Sequence, residues 1–185
     1  DRLITDISDS SRLDAELSRD TFEPIDIKSL LLAFHELRKF QKRFEQKLLT
    51  INIRKDENQP LIFGHEGRIF QVIDNIVDNA VTFAPTNSKI DITLCANTTN
   101  VKITIDDEGP GIPENKLDSI FERFYSERPP AEKFGLHSGL GLSICKQIVE
   151  AHNGKIFAKN RTGYQNDITG ARFIITLPIM NKSKV

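Results

Sequence analysis

Residues Val101 to Ile112, VKITIDDEGPGI, constrain this chain more than any other stretch. Val101, Ile103 and Ile105 alternate with Lys102, Thr104 and Asp106, the two-residue period of a strand with one buried face. One further step of the alternation turns Asp107 inward and leaves Asp106 facing water. Gly109-Pro110-Gly111 follows, so the backbone can turn sharply and approach whatever Asp107 faces. A carboxylate taken out of water without a partner is costly. Two readings stand: its partner is a ligand that donates hydrogen bonds, or the stretch is an Asp-Gly turn closing a strand.

An inward-facing acid needs a core around it. The chain has 185 residues, 38% hydrophobic and 28% charged, enough for one soluble domain with a short appendage. A net charge of −1 gives no basic excess, so no nucleic-acid partner is expected. Cys95 and Cys145 stand far apart without companion ligands, which fits a reducing compartment and packing roles. No apolar run approaches membrane-spanning length, Leu30 to Phe34 being among the longest, and no signal peptide is visible. The first residue is not Met, so the chain is read as an excerpt of a larger protein.

Asp1 to Arg19 carries Leu3, Ile4, Ile7, Leu13 and Leu17 at loosely helical spacing, too few for a stable lone helix. It reads as the end of a longer helix. Thr21 to Pro24 breaks that pattern and opens a short strand through Ile27. Ser29 to Lys47 is expected as a helix with Leu31, Phe34, Leu37, Phe40 and Phe44 inward; Arg38, Lys39, Lys42, Arg43 and Lys47 form a solvated face. Strands are expected at Leu48 to Arg54 and Leu61 to Phe63. From Arg68 to Phe83 the helical period gives an apolar stripe of Ile69, Ile73, Ile76, Ala80 and Phe83. Asn75, Asn79 and Thr82 run beside it, with Gln71, Asp74 and Asp78 further towards solvent. Asn favours caps and turns, so two of them mid-helix at i and i+4 need a reason: the rim of a pocket, or nearby backbone groups to satisfy.

Strands Ser88 to Ala96 and Asn100 to Asp107 form a hairpin through Asn97 to Asn100. Pro113 to Phe121 is expected as a short helix and Arg123 to Ser138 as a loop. A helix from Gly139 to His152, ended by Asn153-Gly154, precedes strands Lys155 to Asn160 and Ala171 to Leu177. These elements predict an α+β fold, a two-layer α/β sandwich of three main helices on a mixed, mostly antiparallel sheet.

Gly135 to Leu142 (GLHSGLGL) opens a helix, where free N–H groups and the dipole favour phosphate. It is neither a Walker A loop nor a dinucleotide fingerprint. Taken in chain order, however, the segments form a set. Phe70 to Phe83 resembles an N box, Asp107 to Ile112 a first glycine box, and Ile120 to Tyr125 an F box. Gly139 to Leu142 resembles a second glycine box and Gly170-Ala171-Arg172-Phe173 a shortened third. The set resembles the catalytic ATP-binding (Bergerat-type) domain of bacterial sensor histidine kinases, in the superfamily shared with gyrase and MutL. The likeness covers Phe22 to Ile179.

The resemblance implies that Asp107 accepts a hydrogen bond from the adenine amino group. Asn79 holds the Mg²⁺ that bridges the phosphates, with support from Asn75, both counted as catalytic. Backbone groups of Gly139, Leu140, Gly141 and Leu142 hold the phosphates. Gly109, Gly111, Ile112, Arg123, Tyr125 and Ser138 complete the nucleotide site, and Arg123 to Ser138 is the ATP lid. Thr82 stands where many members carry lysine and Ser126 where many carry arginine, which leaves Arg123, Arg128 or Lys133 to meet phosphate charge. Hydrolytic members place a glutamate where Asn75 stands, and an amide cannot act as a general base. Transfer to a protein acceptor is therefore favoured over hydrolysis; the alternative is a regulatory module without activity.

His35-Glu36-Leu37-Arg38 imitates a phosphoacceptor box but lacks its proline, so His35 reads as an ordinary helix histidine, as do His137 and His152 as structural ones. By the same resemblance residues 1–20 end a dimerisation helix and linker, and 21–185 form the catalytic domain. The acceptor histidine lies upstream, the whole protein is a homodimer, and a response regulator receives the phosphoryl group. This piece alone is monomeric, on the cytoplasmic side of an inner-membrane sensor. Asp9 to Leu17 and His137 to Ile144 resemble the ChvG subtype of envelope-sensing kinases.

Overall fold

The computed structural model describes residues 21–41, 47–53, 61–123, 125 and 139–180. The expected helix over residues 1–19, Phe44 with Lys42 and Arg43, and loop residues Ser126, Arg128, Lys133, His137 and Ser138 lie outside that set. In chain order the elements are β1 (Glu23–Asp26), α1 (Ile27–Arg38), β2 (Leu48–Ile53), β3 (Leu61–Gly64), α2 (Glu66–Phe83), β4 (Lys89–Ala96) and β5 (Asn100–Asp106). Two 3-10 turns, Glu114–Lys116 and Ser119–Phe121, precede α3 (Gly141–Ala151), β6 (Lys155–Thr162) and β7 (Ile168–Pro178).

The main sheet has the order β2-β4-β5-β7-β6. β2 runs parallel to β4 and the other pairs are antiparallel. Alternation puts Ile90, Ile92 and Leu94 of β4, Val101, Ile103 and Ile105 of β5, and Phe173, Ile175 and Leu177 of β7 on one buried face. Ile69, Val72, Ile73, Ile76 and Val77 of α2 belong to the same core, as do Ile144, Ile148 and Val149 of α3. Each such side chain contributes about 1.5–3 kcal/mol by leaving water. This is the α+β two-layer sandwich expected. Its α1, α2 and α3 are the three main helices. β1 and β3 pair apart from the main sheet, as a two-stranded antiparallel ribbon.

Several expected boundaries move, for local reasons. α1 starts at Ile27, not Ser29, because Asp26 caps it: its Oδ1 accepts from the N–H groups of Lys28 and Ser29 at 2.9 and 3.2 Å. Such a cap contributes about 1 kcal/mol. The helix ends at Arg38, so its buried stripe is Ile27, Leu30, Leu31 and Phe34, while Leu37 and Phe40 are 62% and 80% exposed. The basic face is only partly solvated. Arg38 pairs with Asp74 of α2 and lies over the Phe34 and Phe70 rings. Lys47 donates to the carbonyls of Ala84 and Pro85, where cationic charge suits the end of α2.

α2 itself starts two residues early, at Glu66, with His65 Nδ1 accepting from Arg68 N–H at 3.3 Å. The short helix expected over Pro113 to Phe121 is instead the pair of 3-10 turns. α3 ends where Asn153 takes a left-handed conformation (φ 55°). A Cβ on the following Gly154 would lie 2.6 Å from the Thr176 carbonyl oxygen, so that position needs glycine for close approach. His152 is buried: its Nε2 accepts from His65 N–H at 3.0 Å and its ring stacks on Phe22. His35 Nε2 lies 3.2 Å from the Leu49 carbonyl oxygen. Cys145 is fully buried, which pushes its thiol up to about 12, an inert packing group.

Candidate functional site

β5 delivers Asp107 to the inner face, 4% exposed, as the alternation requires. Its N–H donates to the Ala171 carbonyl at 3.1 Å, extending the ladder to β7. Its Oδ1 accepts from Ala171 N–H at 3.0 Å and Gly109 N–H at 2.8 Å. Among the described residues Oδ2 has no hydrogen-bond partner. Oδ1 thus closes the Asp-Gly turn of the second reading, and Oδ2 is left able to accept. Burial pushes the carboxyl above its ordinary range, against the pull of the two backbone donors and the Arg161 charge.

Asp106 departs from expectation. Instead of facing water it accepts from Arg172 Nε and Nη2 of β7, both at 2.6 Å, a bidentate pair. Arg161 Nε lies 3.8 Å from the same carboxylate, and Arg161 Nη1 donates to the Asp107 carbonyl at 2.6 Å. Sequence reasoning gave Arg161 no role.

The turn itself is held by close backbone approach. A Cβ on Gly109 would lie 3.3 Å from the Phe83 carbonyl oxygen, so the turn abuts the C-terminal end of α2. Gly111 has φ 77°, and a Cβ there would meet Ile168 and Asn160. Gly170, the glycine of the shortened third box, has φ 147° and backs directly onto the Asp107 peptide. The register of β6 against β7 shifts between Arg161 and Thr162: Gly170 faces Arg161 but Ile168 faces Thr162. That irregularity brings Gly170 and Ile168 to the glycine turn, the kind of local re-aiming that bulges provide.

The Asn helix runs from this turn towards α3. Asn75 Nδ2 donates to the Gly141 carbonyl at 3.4 Å, so one end of the Asn stripe touches the start of α3. The side chain of Asn79, which is half-buried, makes no hydrogen bond among the described residues. Thr82 turns its hydroxyl back to the Asp78 carbonyl at 2.9 Å. From Asn75 to Phe83 is about 12 Å along the helix, with Asn79 halfway.

At α3, Gly139 has φ 74° and Leu140 is the N-cap residue without a side-chain cap. The first helical bond runs from Ile144 N–H to the Leu140 carbonyl, so the amides before it lack helical acceptors. Leu140 is buried and Leu142 packs against the core, so these two offer backbone rather than side chain. Ile112 is different: its backbone N–H and C=O are both taken by Asn160, leaving its half-buried side chain. Tyr125 is half-buried with Lys116 Nζ 5.7 Å over its ring, and Arg123 is exposed.

Thus the structure brings Gly109, beside Asp107, to the C-terminal end of α2 and Gly141 to Asn75, with Asn79 between them on the helix. Asn160 was missed, although a signal existed. The alternation that buries Ala158 of β6 puts Asn160 on the same face, and an inward polar residue is as informative there as in β5. Among the described residues no three His, Cys, Asp or Glu side chains form a metal cluster, and no helix is long and apolar enough to cross a membrane.

Residues 64–181 match the family model described as histidine kinase-, DNA gyrase B-, and HSP90-like ATPase. Sensor protein ChvG of Rhizobium meliloti (strain 1021) is 44% identical over 184 residues, covering 96% of this chain and 32% of that protein. The chain thus spans about a third of that relative. Full-length ShkA in complex with AMPPNP superposes with TM-score 0.79 at 25% identity, over 97% of this chain and 36% of that one. Histidine kinase ThkA, solved in complex with response regulator protein TrrA, gives 0.69 at 26% identity, over 96% and 50%. With the family model matching well over half of its length, the chain belongs to the histidine kinase-, gyrase B- and HSP90-like ATPase family.

Proposed function

We propose that this chain is the catalytic part of a sensor histidine kinase: it binds Mg-ATP and presents the γ-phosphoryl group to a histidine on an upstream dimerisation segment. The observation that carries this is the order of groups along α2: an acceptor without a partner at Asp107 Oδ2, a free amide at Asn79, and uncapped amides at the start of α3. An acid that accepts suits the amino group of adenine, and a helix N-terminus suits phosphate. The 44% identity to a sensor protein and the likeness to a kinase solved with AMPPNP support the same reading.

Asn79 fits a magnesium ion, which takes oxygen ligands and keeps several waters; an amide oxygen together with phosphates is an adequate donor set. When bound, the ion neutralises phosphate charge. Asp107 orients the base, α3 amides hold phosphate oxygens, and Asn75 secures α3 to α2 through the Gly141 carbonyl. In the transfer, a bond forms from the acceptor histidine nitrogen to the γ-phosphorus as the bond to the bridging oxygen breaks, and ADP leaves. With an amide at position 75, no side chain there can activate water.

Residues 21–185 form the catalytic domain in this reading, and 1–20 the end of the dimerisation helix and its linker. The protein works as a homodimer on the cytoplasmic side of an inner membrane, and a response regulator takes the phosphoryl group. A second reading, a nucleotide-binding module without activity, draws on Thr82, whose hydroxyl is spent on its own helix and brings no cation to the phosphates. Labelled ATP mixed with this chain and a separate fragment carrying the dimerisation helices separates the two. Label on the fragment's histidine establishes the kinase; nucleotide binding without label establishes the inactive module.

A further inference from the structure

We propose that Asn160 is a positioning residue for the nucleotide: its carboxamide clamps both polar groups of the Ile112 backbone and so fixes the turn that carries Asp107. The inference rests on the nucleotide-site reading above and adds a residue that lies outside every motif of the N, F and glycine boxes.

Three observations converge. Asn160 Oδ1 accepts from Ile112 N–H at 2.7 Å, and Asn160 Nδ2 donates to the Ile112 carbonyl at 2.7 Å. At neutral pH an amide offers an acceptor and a donor side by side in the spacing a peptide needs, where a carboxylate offers acceptors alone. Second, the clamp sits tight against Gly111: a Cβ there would lie 2.7 Å from Asn160 Oδ1 and 2.4 Å from Ile168 Cγ2. The left-handed Gly111 is thus enclosed by β6 and β7. Third, the next residue of β6, Arg161, holds the other end of the same turn through the Asp107 carbonyl at 2.6 Å. Two consecutive residues of one strand therefore grip the turn at its first and last peptides.

Without the clamp, the Ile112 peptide would lose both partners. Among the described residues the turn would then be tied at Asp107, Glu108 and Gly109, all before Gly111. The Asn160 side chain makes no other hydrogen bond among the described residues, so its carboxamide serves this turn alone. The consequence falls on the base end of the site, since the clamped turn holds Asp107, whereas Asn79 lies further back along α2 and α3 meets that helix at Asn75. Removing the clamp should weaken every adenine nucleotide by the same factor, with or without metal.

The test measures binding of metal-free ADP and of Mg-ATP by calorimetry, and exchange of the Ile112 amide proton by NMR, in the wild type, Asn160→Ala and Asn160→Asp. Asn160→Ala should raise both dissociation constants by about tenfold, equally, and release the Ile112 amide to fast exchange. Asn160→Asp keeps the size but sets a carboxylate against the Ile112 carbonyl. It should bind weakly at neutral pH and recover towards wild type, measured as a ratio at each pH, as acid returns a donor to the side chain. This second variant carries the test if the first fails to fold. Unchanged ADP affinity in the variants, or a loss confined to Mg-ATP, overturns the assignment, as does slow Ile112 exchange in Asn160→Ala. Absence of nucleotide binding by the wild type would overturn the underlying reading itself, whatever the Ile112 amide does.

Discussion

The two ends of the Asn75-to-Phe83 half of α2 are built on opposite plans. At its C-terminal end the glycine turn is finished without any ligand: Asp107 Oδ1 has two backbone donors, Asn160 and Arg161 hold the turn's peptides, and Arg172 satisfies Asp106. Of the Asp107 carboxylate, one oxygen is left over among the described residues. Near Asn75, by contrast, polar groups are left open: Asn79 has no partner among the described residues, and the first amides of α3 have no helical acceptors. In the proposed function the difference follows from what each end would meet. A base is recognised by a fixed pattern of donors and acceptors, so rigidity raises selectivity there. Phosphates bring charge, metal and water, so unfilled donors suffice until they arrive.

The largest effect should come from breaking the finished end. In Gly170→Ala the new Cβ would stand 1.9 Å from the Asp107 carbonyl oxygen and 3.2 Å from Glu108 Cα, both backbone, at a φ of 147° that L side chains rarely adopt. No side chain can move to relieve it. Destabilisation of about 3 kcal/mol or more is expected, with nucleotide binding lost, as read from thermal unfolding and calorimetry.

Asp107→Asn attacks the same end without a clash. Asn Oδ1 keeps both backbone donors, while the amide nitrogen replaces the free oxygen and meets adenine's amino group donor to donor. ATP affinity should fall on the order of 100-fold. Stability should not follow. The native carboxyl has a raised pKa, so the folded state takes up its proton at higher pH than the unfolded state, whose value is near 3.8. Ionisation therefore costs stability above that window, and the cost disappears as pH falls through the raised value towards 3.8. The variant lacks the cost, so its stability advantage over wild type should be greatest at neutral pH and shrink in acid. Thermal melts at both pH values check the sign.

The same contrast explains what could be read in advance. Local alternation and local glycine spacing were legible: β5, the inward Asp107, the hairpin and the glycine opening of α3 all come from neighbours in sequence. The fold class follows from those elements. Asp106 was misread because its partner, Arg172, is 66 residues away and arrives only through the β5–β7 pairing. Arg38 was assigned to solvent for the same reason, its partner Asp74 lying on another helix. The early start of α1 was legible locally, since Asp26 precedes the apolar run in cap position, but the strand pattern through Ile27 concealed it. Asn160 falls between these cases. Its inward parity was visible in the sequence; that its target is the Ile112 peptide, 48 residues back, was not.

The open end gives the smallest and most selective effect. Asn79 is half-buried and its side chain makes no hydrogen bond among the described residues, so Asn79→Ala removes no internal bond and adds no clash. Its stability should change by less than about 0.5 kcal/mol. Metal-free ADP should bind as it does to wild type, because the base end is intact. Mg-ATP should weaken by about tenfold, the loss of one oxygen ligand to the ion. The comparison between the two ends turns on that split. If Asn79→Ala weakened metal-free ADP as much as Mg-ATP, the amide would be serving the base or the turn, and the division of α2 into a finished end and an open one would fail. A loss that appears only when magnesium is added, beside an equal loss with and without magnesium in Asn160→Ala, would place the two residues on opposite sides of that division.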